Sequence, residues 1–273
     1  MDIALLMLVG GIGVGIFGSL LGLGGGLLIV PLLTFGFQLP LREAIGVSLV
    51  CVIVTSGASA SVFLERRVAN LRLGMTLELF TAIGALVGGM IAFLLDERVL
   101  AALFSVLMTY VAVTMLRRRS ASTSDGAEET PDVVQDPASF TARLSGPGYR
   151  VRNLGLGMVG SVFAGVSSAL LGIGGGLIKV PVLHVVMGVP LRVATATSNL
   201  VIGITASTSA WIYLLRGGID PYAAGPTAIG VFVGASIGSR IAHRVDLNAL
   251  RLLFTGVLLF TAFQMLRRAA GIQ

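Results

Sequence analysis

The sequence GLGGGLLIVPLL at residues 22–33 occurs a second time as GIGGGLIKVPVL at residues 172–183, with eight of the twelve positions identical. The offset of 150 residues also relates PLR at 40–42 to PLR at 190–192, and MLRR at 115–118 to MLRR at 265–268. The chain is therefore predicted to consist of two homologous halves. Paired apolar halves that are each interrupted by glycine at the matching place are typical of membrane transporters whose site lies between the halves.

The composition places the chain in a lipid bilayer. Hydrophobic residues make up 55% and charged residues 12% of the 273 residues, and the mean hydropathy is +0.95. Such a chain has too few polar side chains to cover a soluble globule of this length. The formal net charge of +6 does not indicate a nucleic-acid partner, because the cations lie at the ends of apolar runs, where they orient membrane helices.

Ten apolar runs, five in each half, predict an all-α polytopic transmembrane protein. They cover residues 3–21, 27–37, 44–64, 73–95, 100–116, 154–171, 177–187, 193–215, 222–242 and 250–266. All except the second run of each half are long enough to cross about 30 Å of hydrocarbon. The second run follows a glycine cluster and contains Pro31 or Pro181, so it is predicted to be a short, glycine-broken helix that re-enters or tilts strongly.

A polar stretch between the halves sets the predicted domain organisation: a first repeat at 1–118, a linker at 119–149, a second repeat at 150–268 and a tail at 269–273. An odd number of crossings per half would insert the second repeat upside down. That topology puts thirteen arginines on the linker side and five on the other, whereas a parallel arrangement gives twelve and six. The charge rule favours inversion slightly, with a cytoplasmic linker and both termini outside. The five arginines opposite the linker are Arg42, Arg98, Arg216, Arg267 and Arg268.

The glycine clusters are the strongest signal for a binding site. Four glycines in five residues cannot hold a helix at about 1 kcal/mol each relative to alanine, so the backbone must open there. The helix that resumes after each cluster presents unpaired N–H groups and a positive dipole end, which suits an anion. The alternative is a tight hairpin that only packs closely. The G-x-G-x-x-G matches at 13–18 and 155–160 lie inside apolar runs and indicate helix packing, not a dinucleotide fold.

Polar residues near the opened backbone complete the predicted site. Ser48, Ser198 and Asn199 lie early in the helix after the short run, and Lys179 is a cation inside that run. A charge at membrane depth indicates function, although Lys179 could also extend to the interface. His184 is the candidate for carrying a coupling proton. Glu78 and Arg240 lie nearer to run ends, where an interfacial position is expected.

Several kinds of chemistry have no residues to support them. Cys51 is the only cysteine, which excludes a disulfide framework and a thiolate metal site. The sequence has no Walker loop, no H-E-x-x-H motif and no pair of carboxylates at run centres. We therefore predict neither an enzyme nor a metal or cofactor site.

The doubled G-x-G-G-G motif, followed by V-P, a proline loop and a serine-containing helix, resembles the TauE/SafE family of sulfite and organosulfonate exporters. The resemblance covers both halves. It implies a multi-pass permease of the bacterial inner (plasma) membrane that moves sulfite, thiosulfate or sulfonates without ATP. The repeated glycine turns themselves predict alternating access, in which one half rocks against the other and exposes a midplane anion site to each side in turn. The predicted substrate-binding residues are Gly24, Gly25, Gly26, Ser48, Gly174, Gly175, Gly176, Lys179, Ser198 and Asn199.

Two other functions stay open at the level of sequence: a membrane scaffold or assembly factor, in which the glycines only pack helices, and a passive anion channel. The substrate, a coupling proton or sodium ion, the direction of transport and a homo-oligomeric state are likewise not decided by these residues.

Overall fold

The computed structural model describes residues 3–20, 26–65, 69–118, 144–146, 149–241 and 247–271. These residues include ten helices, and the prediction of an all-α chain is confirmed. The helices are α1 (Ile3–Leu20), α2 (Gly26–Gly36), α3 (Leu41–Glu65), α4 (Leu71–Leu94), α5 (Glu97–Arg118), α6 (Leu154–Leu171), α7 (Gly176–Val186), α8 (Leu191–Leu215), α9 (Pro221–Ile241) and α10 (Leu247–Ala269). Most of the predicted linker, residues 119–143, lies outside the described residues.

The long helices have the length and surface that a bilayer requires. Six of the described helices, α1, α4, α5, α6, α8 and α10, are long and apolar enough to cross a membrane. Their outward surfaces carry large apolar side chains, such as Leu79, Phe163, Trp211 and Phe260. Polar side chains such as Ser48 lie buried between the helices. This distribution of side chains matches a lipid-facing exterior. Helices can span lipid in this way because each one satisfies its backbone hydrogen bonds within its own segment.

Two parallel helix pairs are held by glycines that let backbones touch. In the α1–α9 pair, a Cβ at Gly11 would lie 2.7 Å from the Thr227 carbonyl oxygen, and one at Gly15 would lie 2.4 Å from that of Val231. Residue numbers increase together along both helices, so the two run in the same direction. Glycine is required at such contacts because any side chain would force the helices apart.

The α4–α6 pair repeats this arrangement. A Cβ at Gly84 would lie 2.1 Å from the Val162 carbonyl oxygen, and one at Gly88 would lie 2.6 Å from that of Val166. Each pair joins the first helix of one half to the fourth helix of the other. The halves are thus interleaved and do not pack as two separate bundles.

Two antiparallel pairs, α3–α8 and α5–α10, join helices at equivalent positions of the halves. Gly46 near the start of α3 contacts Gly218 just after α8, while the Ser56 hydroxyl farther along α3 donates to the Asn199 carbonyl at 3.1 Å. The Ser105 hydroxyl of α5 donates to the Ala262 carbonyl of α10 at 2.9 Å. Antiparallel pairing of equivalent helices is what an inverted arrangement requires.

The arginines predicted to lie opposite the linker gather at one end of the bundle. Arg42 and Arg216 lie 5.8 Å and 6.0 Å from the centre of the Phe93 ring, near the end of α4. Arg268 pairs with Glu97 at 3.4 Å, at the start of α5. Both contacts flank the short connection between α4 and α5, so one face of the bundle carries these cations.

The described end of the predicted linker packs against the start of α4. The side-chain amide of Asn70 donates to the Leu144 carbonyl and to the Tyr149 hydroxyl, each at 2.7 Å. Its side-chain oxygen accepts from the Leu73 amide at 3.1 Å and caps the helix. Leu144 is buried in an apolar cluster with Leu73. Asn70 therefore joins a helix cap to the segment that leads into the second half.

Replacing Asn70 should measurably destabilise the protein. We expect Asn70→Ala to lower the free energy of unfolding by about 2 kcal/mol, since it removes the cap and leaves the Leu144 carbonyl without its donor. Thermal unfolding in detergent measures the change. Asn70→Asp keeps the capping oxygen but lacks the amide donors, so it should fall between the alanine variant and the native protein. Equal stability of the native and alanine proteins would contradict this account.

Candidate functional site

The two glycine segments meet inside the bundle, at Ser48. The Ser48 hydroxyl lies 2.7 Å from the Gly172 carbonyl oxygen at the end of α6 and 3.1 Å from the Gly26 carbonyl oxygen at the start of α2. A Cβ at Gly26 would lie 3.1 Å from that same Gly172 oxygen. The predicted ligands Gly24 and Gly25 lie outside the described residues. Ser48 thus bridges the opened backbones of both halves, with its hydroxyl hydrogen directed to carbonyl groups.

The turn between α6 and α7 requires glycine at three of its four positions. Gly172, Gly174 and Gly175 have φ values of 70°, 74° and 78°, in the left-handed region that residues with a Cβ rarely adopt. A Cβ at Gly174 would lie 2.7 Å from Val52, and one at Gly175 would lie 2.9 Å from the Ala164 carbonyl oxygen. The turn reverses the chain, and the amides of Gly176 and Leu177 at the start of α7 have no acceptor inside their own helix. The next two amides, of Ile178 and Lys179, donate to the Gly175 carbonyl.

Two serine hydroxyls flank this turn without a hydrogen-bond partner among the described residues. The hydroxyls of Ser168 on α6 and Ser198 on α8 are both fully buried and unpaired. A Cβ at Gly175 would lie 3.4 Å from the Ser168 Cβ, and one at Gly176 would lie 3.6 Å from the Ser198 hydroxyl oxygen. A buried hydroxyl without a partner costs about 1–3 kcal/mol, so these groups call for an additional polar partner.

Sequence analysis identified Ser198 but missed Ser168. The first half has Gly18 at the position equivalent to Ser168, so the repeat comparison carried no signal for it. The available signal was its place four residues before Gly172, one helical turn from the break, where a side chain lies beside the opened backbone.

A buried ion pair lies next to the same turn. The Lys179 ammonium on α7 contacts one carboxylate oxygen of Glu78 on α4, and the other oxygen accepts a hydrogen bond from the Thr205 hydroxyl on α8. Lys179 is 1% exposed and Glu78 is 3% exposed. Glu78 is therefore buried between helices, and its interfacial depth stays a prediction. The hydrocarbon-like interior disfavours either charge alone, which explains why the two side chains meet.

The ion pair joins the two halves, and the repeat does not supply a second copy of it. The position equivalent to Lys179 in the first half is Ile29, and the position equivalent to Glu78 in the second half is Ala228. The charged chemistry of the site is therefore asymmetric, although the helices that carry it correspond between the halves.

Other predicted residues lie apart from this cluster. His184 is exposed near the far end of α7, with Nδ1 2.9 Å from the Val189 carbonyl oxygen. Asn199 is half-buried, and its carbonyl accepts from Ser56. The substrate role of Asn199 and the coupling role of His184 stay predictions. Arg240 is exposed, and its interfacial position stays a prediction.

The family relationship follows from a match over nearly the whole chain. Residues 7–265 match the family described as "Sulfite exporter TauE/SafE". The chain belongs to the TauE/SafE family. Its helices and this family place it among multi-pass membrane transporters, which is a non-enzymatic class.

Curated relatives agree with the TauE/SafE assignment at the level of transport. A probable membrane transporter protein of Bacillus subtilis (strain 168) is 23% identical over 273 residues, covering 96% of each chain. One of Methanocaldococcus jannaschii is 27% identical and covers 93% of this chain and 91% of its own. One of Xylella fastidiosa (strain 9a5c) is 28% identical and covers 83% and 80%. No solved structure matches this TauE/SafE chain significantly.

Proposed function

We propose that this protein is a secondary transporter of small sulfur-containing anions such as sulfite, thiosulfate or organosulfonates, which bind at the glycine turn between α6 and α7. The observation that carries the proposal is the pair of buried, unpartnered hydroxyls of Ser168 and Ser198 beside that turn. The family description, which names sulfite export, supports the substrate class.

The chemistry of the turn suits a tetrahedral or pyramidal oxyanion. Backbone amides at the start of α7 point out of the helix and carry its positive dipole end. The hydroxyls of Ser168 and Ser198 add two donors from other helices, so an anion would be held by groups from α6, α7 and α8. Lys179 lies one turn farther along α7 and supplies the positive charge that strengthens such hydrogen bonds.

Alternating access in this fold requires two moving bodies, and each of them contains helices from both halves. The backbone contacts of α1 with α9 and of α4 with α6 are too close to separate in each transport cycle. We infer that α1, α2, α3 and α9 move against α4, α6, α7 and α8. Two contacts lie between these bodies: the antiparallel contact of α3 with α8, and the hydrogen bond from Ser48 on α3 to the Gly172 carbonyl at the end of α6. Rocking there would expose the glycine turn to each side in turn.

Ligand-dependent stabilisation tests the proposed function. We expect one sulfur anion in a panel of sulfite, thiosulfate, sulfate, sulfoacetate, taurine, phosphate and chloride to raise the melting temperature selectively. At a ligand concentration near 100 Kd the stabilisation should be about 2.7 kcal/mol. A flat response over the whole panel would contradict the proposal.

Serine variants test where the anion binds, with the same measurement of melting temperature. Ser168→Ala/Ser198→Ala should lose the ligand-induced shift while the unliganded protein keeps its stability, because neither hydroxyl has a partner to lose. Ser161→Ala is the matched control, since Ser161 is buried on the same helix but its hydroxyl already donates to the Gly157 carbonyl at 2.8 Å. The control should keep the ligand shift. An undiminished shift in the double variant would exclude this site.

A further inference from the structure

The carboxylate of Glu78 already occupies an oxyanion site. One of its oxygens receives the Lys179 ammonium and the other receives the Thr205 hydroxyl. Lys179 is close to the glycine turn, because its own amide donates to the Gly175 carbonyl at 3.0 Å. The buried cation beside the proposed anion site is therefore bound to an internal anion.

Among the described residues, Lys179 is the charged group that faces Glu78. The neighbouring helix α6 carries no ionisable side chain. On α8 the ionisable residues are Arg192, which is exposed, and Tyr213, which lies in the last turn. On α7 the other titratable group is His184, which is exposed, and on α4 itself it is Arg72, also exposed. Tyr149 contacts Asn70, eight residues before Glu78 and about 12 Å away along α4. The buried charge of this region is the pair alone.

Charge balance restricts how an anion can enter. The pair sums to zero, and an added anion would leave an uncompensated negative charge in the buried interior of the bundle. Proton uptake by the carboxylate removes one negative charge and releases the ammonium at the same time. If proton and anion enter together, the buried charge changes less than it would if the anion entered alone.

We infer that Glu78 is the proton-binding residue that couples anion binding to a proton, by releasing Lys179 to the substrate. A hydronium ion from the bulk solution gives its proton to a Glu78 carboxylate oxygen and leaves as water, the ion pair breaks, and the Lys179 ammonium keeps its three hydrogens and turns to the anion. Release of both restores the pair. This inference rests on the proposed function and assigns the coupling step to Glu78 in place of His184.

Calorimetry of anion binding in buffers of different ionisation enthalpy counts the protons taken up. The probes are sulfite, with its heat corrected for its own protonation, and the strong-acid anions thiosulfate and methanesulfonate. The native protein should take up about one proton per bound anion, and its affinity should rise as the pH falls. Glu78→Gln should bind with no proton uptake and with an affinity that does not depend on pH.

The outcomes separate this inference from the proposed function. Binding by the native protein without proton uptake, or unchanged proton uptake in Glu78→Gln, overturns the role of Glu78 and leaves the transporter proposal standing. Failure of all three probes to bind the native protein overturns both. A purely structural ion pair would not change the proton count when it is removed.

A second variant covers the case in which Glu78→Gln does not fold because Lys179 is left unpaired. Glu78→Ala/Lys179→Ile introduces the residues found at the repeat-equivalent positions, Ala228 for Glu78 and Ile29 for Lys179. We expect it to fold, to bind the probes at least tenfold more weakly, and to show no proton uptake. In proteoliposomes the native protein should move protons with the anion, and this variant should move neither. Proton-coupled anion flux in the variant would overturn the inference.

Discussion

Lys179→Met should lower the free energy of unfolding by about 3–5 kcal/mol, because it leaves the Glu78 carboxylate buried without its partner. Methionine has a similar length and is apolar, so the loss reflects the missing charge more than a cavity. The Thr205 hydroxyl would remain as the single donor to Glu78. Unfolding of the purified protein in detergent, followed by helix content, measures the difference from the native protein.

The double variant makes this prediction specific to the pair. Glu78→Ala/Lys179→Ile removes both charges, and replacing a whole buried ion pair by apolar residues is often neutral or stabilising. We therefore expect the double variant to be clearly more stable than either single variant. A double-mutant cycle should give a coupling energy of about 2–3 kcal/mol. Additive losses would show that the two side chains do not stabilise each other in the folded protein.

Gly165→Ala is the second substitution with a large expected effect. A Cβ at Gly165 would lie 2.0 Å from the Thr81 carbonyl oxygen and 2.7 Å from the Ala85 amide nitrogen on α4. Both neighbours are backbone atoms, so the clash can be relieved only by moving α4 away from α6. We expect a loss of about 3 kcal/mol in the free energy of unfolding, at the upper end for overpacked cores. Glu78 lies on α4 near this contact, so the separation should also weaken anion binding.

Gly155→Ala on the same helix is the matched control. A Cβ at Gly155 would meet nothing within 4 Å. Alanine is intrinsically better than glycine in a helix by about 1 kcal/mol, so this variant should be as stable as the native protein or slightly more stable. The same thermal unfolding measurement compares both variants. Similar stability of Gly165→Ala and Gly155→Ala would contradict the close contact of α4 with α6.

Hydrophobic pattern and repetition predicted the helices, because a membrane helix satisfies its backbone within one continuous segment. The runs at 154–171 and 193–215 agree with α6 and α8 to within two residues. The two short runs are likewise observed as 11-residue helices, Gly26–Gly36 and Gly176–Val186. The roles of the predicted binding residues, and the division into domains, stay predictions.

The composition of the site was predicted less completely. Lys179 was identified because a cation inside an apolar run is unusual wherever it occurs. Ser168 was not identified, and Glu78 was named only as a residue near the end of a run, since each lies in a long helix whose lipid-facing and buried sides look alike in hydropathy. The burial of Glu78 depends on which face of α4 contacts α7 and α8, and neither helix adjoins α4 in the chain.

The sequence alone therefore determined the class of the protein, the order and approximate length of its helices, and the two glycine breaks. Those features depend on interactions within a segment and with lipid, which local composition describes. Only the tertiary structure decided that α4 packs against α6, that Ser168 and Ser198 face one turn without partners, and that Glu78 neutralises Lys179. These contacts join side chains up to 101 residues apart, and their partners are chosen by helix packing, which hydropathy does not encode.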